Sequence, residues 1–226
     1  MFFKAITGAA VAVTISAAAA SAATVNVSSI SGNWSGVTGG SNITGVGTSS
    51  ITWGDGTAPD SGYDFNAVGT PLTDVTSPFL IGDFVHNNFP IPSGSSITQA
   101  TLDITVTGTV DGLAFLITES FVFNHNETPN SDPCPDASAG TGCDIVTLVS
   151  ATGTGAVVST GSQLVSLVID GFATSDLVFY TDENQSNTAG IYASFEISPV
   201  PLPAAGWMLL GGLGGLAAMR RRKKTA

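Results

Sequence analysis

Strict alternation of apolar and polar residues in two segments limits what this chain can fold into. Ala100, Leu102, Ile104 and Val106 alternate with Thr101, Asp103 and Thr105, and Ile191, Ala193, Phe195 and Ile197 alternate with Tyr192, Ser194 and Glu196. A period of two places successive side chains on opposite faces of a strand, so each segment offers one face to a core and the other to water. Between residues 23 and 199 the chain is rich in Ser, Thr, Gly, Asn, Asp and Val and carries almost no helix-length amphipathic pattern. Further strands are predicted at 24–30, 46–53, 113–124, 145–150, 163–170 and 176–181, separated by turn pairs such as Asp55-Gly56, Asp111-Gly112 and Asp170-Gly171. Many short strands joined by such turns predict an all-β fold, an antiparallel β-sandwich of jelly-roll-like form. Trp34, Trp53, Phe65, Phe115, Phe121, Phe123, Phe179 and Phe195 are the large groups available for its core.

The charges are segregated. The six basic residues are Lys4 and the run Arg220, Arg221, Arg222, Lys223 and Lys224, whereas all 17 acids lie from Asp55 to Glu196. With no Lys or Arg from Ala5 to Met219, the middle of the chain has nothing to neutralise a phosphate backbone, which excludes nucleic acid as a partner. The same lack excludes most phosphoryl chemistry, which needs a cationic clamp on the developing charge.

Both ends read as export signals. Lys4, the apolar run from Ala5 to Ala20 and the small residues Ala20-Ser21-Ala22 have the order of a secretory signal peptide, with cleavage expected after Ala22. At the other end, residues 200–219 are uncharged and are followed at once by the five basic residues. Twenty residues at 1.5 Å each span a hydrocarbon core of about 30 Å, and the basic cluster would hold the C-terminus in the cytoplasm. The expected organisation is a signal peptide at 1–22, an acidic ectodomain at 23–199 and a sorting segment with one transmembrane helix at 200–226.

Val200, Pro201, Leu202, Pro203 and Ala204, the Gly-rich apolar stretch and the terminal basic cluster resemble the VPLPA-type sorting signals of the PEP-CTERM class. The resemblance implies handling by an exosortase-like membrane transpeptidase, passage through the inner membrane, and a final place at the cell surface or outside the cell, in association with exopolysaccharide and biofilm. Within the ectodomain, Trp53-Gly54, the block from Ser61 to Phe65, the block from Ile81 to Ile91, the block from Phe123 to Asn130 and Cys143-Asp144-Ile145-Val146 are similar to the THxN-type PEP-CTERM proteins with a choice-of-anchor K-like ectodomain. Val85 stands where the name-giving motif has Thr, while His86 and Asn88 are kept. That resemblance marks His86, Asn88, His125 and Glu127 as motif residues and assigns them no reaction.

Cys134 and Cys143 enclose eight turn-forming residues, and outside the cytoplasm such a pair is expected to be oxidised. His86 and His125 are the only histidines, both set among Asn, and with carboxylates they would suit a transition metal. Sequence does not bring them together in space, and hydrogen bonding to local turns is the alternative. Calcium is a second cation to consider: Asp55, Asp60 and Asp64 lie among Gly and Ser, Asp132 and Asp136 flank Cys134, and Asp182-Glu183-Asn184 forms a third acidic loop. None matches an EF-hand, so a solvated acidic surface is the other reading. No G-x-S-x-G or H-E-x-x-H motif occurs. The expected function is therefore a non-enzymatic structural or adhesion role at the surface. Its rivals are an exopolysaccharide-binding module, with Tyr63, Tyr180 and Tyr192 as stacking candidates, and a secreted hydrolase.

Overall fold

A computed structural model describes residues 23–129, 134, 142–149, 158–160, 163–173, 177–200 and 211–214. Eleven strands follow one another along the chain: β1 Val25–Gly39, β2 Ser50–Trp53, β3 Ser61–Ala67, β4 Phe79–Asn88, β5 Ile97–Val110, β6 Leu113–Asn126, β7 Cys143–Val149, β8 Val158–Thr160, β9 Gln163–Phe172, β10 Val178–Asp182 and β11 Gln185–Pro199. They form a five-stranded sheet in the order β1-β5-β6-β7-β10 and a six-stranded sheet in the order β2-β3-β4-β11-β9-β8, every pairing antiparallel.

The alternation that predicts β5 holds along its length, with Ala100, Leu102, Ile104 and Val106 fully buried and the intervening Thr and Asp residues on the other face. Asp111 and Gly112 both have positive φ, 50° and 80°, the conformation of a tight hairpin turn, and join β5 to β6 in unbroken register from Val110↔Leu113 to Gln99↔Asn124. The Asp111 carboxylate accepts from Thr24 N and from Gln163 Nε2, each at 2.9 Å, tying the start of β1 and the start of β9 to this turn.

Inward residues of both sheets make one apolar cluster. Trp34, Phe121 and Phe123 enter it from the five-stranded sheet, and Trp53, Tyr63, Phe84 and Phe172 from the six-stranded one. Phe84 and Phe123 stack across the interface with centroids 5.3 Å apart and planes 4° apart. The aromatic residues singled out by sequence are all buried except Phe179 and Phe195, which pack against the cluster from partly exposed positions.

Three local readings need correction. The segment predicted at 46–53 is a strand only from Ser50, because Gly45 and Gly47 adopt positive φ in a turn that leaves Val46 exposed. Asp170-Gly171 is not a turn: it lies inside β9, opposite a register shift between Tyr192 and Ala193. Strands β3, β4 and β8 carry too short or too irregular an alternation for the period to reveal them. The signal peptide at 1–22, Pro201 to Ala204 of the sorting motif and Arg220 to Lys224 lie outside the described residues. Among the described residues no helix is long and apolar enough to cross a membrane.

Candidate metal centre

His86 reaches the interior because β4 changes phase. Phe79 and Ile81 point inward at odd positions, and then Phe84, His86 and Asn88 do so at even ones. The switch is a bulge: Ile191 pairs with Gly82 and Tyr192 with Leu80, so Ile81 is the extra residue on β4. Without it Val85 and Asn87 would face the core. His125 arrives by uninterrupted alternation along β6, after Phe115, Ile117, Phe121 and Phe123. Asp144 is the first inward residue of β7 in series with Val146 and Leu148, and Glu127 follows directly on β6.

These groups meet between the sheets. His125 Nε2 lies 3.5 Å from Asp144 Oδ2 and 3.6 Å from Glu127 Oε2, and His86 Nε2 lies 4.0 Å from the same Asp144 oxygen. One donor atom from each of His86, His125 and Asp144 falls within 4.8 Å of the others. The separations are too long for hydrogen bonds, which end near 3.2 Å. The 3.5 and 3.6 Å separations are near the edge of a coordination tetrahedron, which for ligands about 2.1 Å from a central ion is about 3.4 Å, and the 4.0 Å separation of His86 is wider. His86 Nε2, His125 Nε2, Glu127 Oε2 and Asp144 Oδ2 are all buried without a hydrogen-bond partner among the described residues. Unpaired buried polar atoms are costly, and four converging on one point mark a place for a cation.

The surroundings hold the rings in place. Tyr63, opposite His86 on β3, shares a 2.6 Å hydrogen bond with His125 Nδ1 across the sheets. With Nδ1 protonated and donating to the phenol oxygen, Nε2 presents its lone pair to the centre, the usual supporting arrangement for a ligating imidazole. Trp53 packs 5.3 Å from His125 and 6.4 Å from His86, centroid to centroid. Asn88 lies in the same inward row and donates from Nδ2 to Thr181 O at 2.9 Å, joining β4 to β10. Thr128 N donates to Asp144 Oδ1 at 3.1 Å, which orients the carboxylate and leaves Oδ2 for the centre.

Electrostatics agree with the geometry. Burial first, and then the neighbouring Glu127 and Glu183 carboxylates, push the Asp144 carboxyl up to about 8 despite the Thr128 amide. Burial and then His125 hold His86 well below the usual imidazole range, so it is a neutral ligand. Burial, followed by Asp144 and Glu127, raises the Tyr63 phenol well above its ordinary value. Burial opposes ionisation of both groups, and acid beside acid and imidazole beside imidazole add to it, a conflict that a bound cation relieves.

The structure brings together His86, His125 and Glu127 from the motif residues, and places Asn88 beside them. Among the described residues Asp55, Asp60 and Asp64 are not gathered into one group of three, and Asp132 and Asp136 lie outside the described residues. Asp55 accepts from Thr57 N and Oγ1 within the β2–β3 turn, Asp60 accepts from Gly56 N in that turn, and Asp64 Oδ2 accepts from Asn87 Nδ2 at 3.0 Å on the outer face. Asp144 and Tyr63 were each marked by sequence within a resembling block, Tyr63 also as a sugar-stacking candidate; Tyr63 is fully buried. Tyr180 and Tyr192 lie on different sheets, so the three tyrosines share no face. Cys134 and Cys143 form the expected disulfide, with Cα atoms 5.3 Å apart, in the connection that separates Glu127 from Asp144. No family model matches this chain, and no curated protein matches it.

Proposed function

We propose that this chain is an exported, non-enzymatic surface or extracellular-matrix protein whose two-sheet domain is pinned by a divalent cation held between the sheets. The observation that carries the reading is the convergence of buried, unpartnered donor atoms from both sheets, His86 from one and His125, Glu127 and Asp144 from the other. Nothing in the covalent chain can replace the ion, since no Lys or Arg occurs from Ala5 to Met219. Donor atoms this deeply buried support a structural ion over a catalytic one, because catalytic centres keep a position open to substrate. The same burial weighs against the hydrolase reading, and the buried Tyr63 weighs against a sugar-stacking face.

The remainder of the proposal rests on sequence. A signal peptide delivers a jelly-roll-like ectodomain across the inner membrane, and the 200–226 segment presents it to an exosortase-like transpeptidase that releases or re-anchors it near exopolysaccharide. Two measurements test the reading. In cells that hold the sorting enzyme, a tag after Ala226 separates from the ectodomain; a mature protein keeping Arg220 to Lys224 there overturns the sorting. The purified chain carries about one equivalent of divalent metal and melts lower after treatment with a strong chelator; an unchanged melt with no bound metal overturns the cation.

A further inference from the structure

We infer that this cation site, granted the reading above, is built for zinc or a zinc-like first-row ion and is sealed by Glu183, a ligand delivered by the turn that carries the chain from one sheet to the other. The donor set decides the class. Calcium takes six to eight oxygen ligands, whereas two neutral imidazole nitrogens with carboxylate oxygens suit zinc and its neighbours. His86, His125 and Asp144 offer two nitrogens and one oxygen within 4.8 Å of one another, and Glu127 Oε2, 3.6 Å from His125 Nε2, adds a second oxygen at the edge of the group.

Glu183 enters on separate observations. β10 belongs to the five-stranded sheet and β11 to the six-stranded one, and Glu183 with Asn184 is the turn between them. Asn184 adopts φ 61°, and the Glu183 amide donates to Gly142 O at 2.8 Å, which fixes the turn beside the start of β7. Both Glu183 carboxylate oxygens are buried and have no hydrogen-bond partner among the described residues. Asp182 pairs with Cys143 and Thr181 with Asp144, so the Glu183 turn begins beside the strand that carries Asp144. Three carboxylates and two neutral imidazoles carry up to three negative charges in a dry space, which a divalent ion reduces to one. Glu183 is thus the residue that completes the ligand shell or exchanges with Glu127 at its fourth position. His125 and Glu127 also border a surface cleft of about 510 Å³ with Ser93, Ser96 and Thr98, a way in for an ion, while His125 Nε2 and Glu127 Oε2 themselves stay buried. Binding then ties the β10–β11 turn to the ends of β6 and β7.

The test uses the full-length chain in mild detergent, stripped with a chelator and titrated with zinc, cobalt(II), manganese or calcium against a chromophoric competitor. One equivalent of zinc binds, calcium at a hundredfold excess does not displace it, and cobalt(II) gives the intense visible bands of a four- or five-coordinate ion. Glu183→Gln weakens zinc at least about tenfold while its metal-free form still melts cooperatively, and Tyr63→Phe weakens zinc through the His125 ring. Calcium binding as tightly as zinc overturns the assigned metal and leaves the cation site standing. A Glu183→Gln variant within about twofold of the parent overturns the role of Glu183 alone. Absence of binding by every ion overturns both the inference and the site beneath it.

Discussion

Phe65 is held between glycines from two strands. A Cβ on Gly82 would come within 2.6 Å of Phe65 Cζ and 2.7 Å of Asn66 O, and one on Gly32 would strike the same ring from the facing sheet. Gly82 also lies beside the bulge that turns His86 inward. Gly82→Ala therefore forces either the ring or strand β4 to move, and overpacking of this kind costs about 1–3 kcal/mol. Urea unfolding of the metal-free chain measures the loss directly. A neutral result would mean that β4 shifts without strain, in which case His86 would move with it and zinc affinity would fall instead.

Among the elements, the β6–β7 connection carries the most consequence, because Glu127 and Asp144 stand at its two ends and Cys134–Cys143 closes part of it. Cross-linking residues nine apart restricts the unfolded chain and adds about 2.5–3 kcal/mol in the chain-entropy model. Replacing both cysteines by serine is expected to remove about that much stability, seen as a lower urea midpoint with an unchanged slope. Zinc recovers part of the loss, since it joins the two ends of the same connection.

For the whole molecule, the uncompensated acid governs how stability responds to solution. Seventeen carboxylates face no Lys or Arg between the chain ends, so folding concentrates like charge. The Debye length falls from about 30 Å at 0.01 M salt to about 8 Å at 0.15 M, and the melting temperature is expected to rise over that range. The pH dependence has a definite sign. Asp144 is raised from 3.8 to about 8, so between these values the folded metal-free chain holds a proton that the unfolded chain has released. That contribution is complete below the unfolded value and is lost as pH rises through about 8. Ordinary carboxylates are already ionised in both states above about pH 6, and His86, neutral when folded, works against the acid only up to about pH 7, where the unfolded imidazole has lost its proton, so above that the slope belongs to Asp144. Thermal melts of the chelated chain should therefore fall from pH 7 to pH 9, and the stabilisation gained with zinc should grow over the same range, because the ion replaces the proton. Metal-free melts that rise with pH over that range would refute the buried acid.

Alternation along β5 and β11, and Asp111-Gly112 between β5 and β6, are local properties, so the strands and that hairpin are legible without any partner. The lack of basic residues from Ala5 to Met219 is likewise a property of the sequence, and the expectation against nucleic acid rests on it alone. The centre is another matter. His86, His125 and Glu127 stand out in the sequence as a motif, but Asp144 begins an ordinary strand, Tyr63 sits in one too short to read, and Glu183 belongs to a turn that looks like any acidic loop. Positions 63, 86, 125 and 144 converge only when two sheets pair in one register and face each other. One extra residue at Ile81 decides that His86 rather than Val85 points between them. Period-two patterns report which residues share a face, whereas a shift of one residue exchanges the faces, and only long-range pairing fixes that shift.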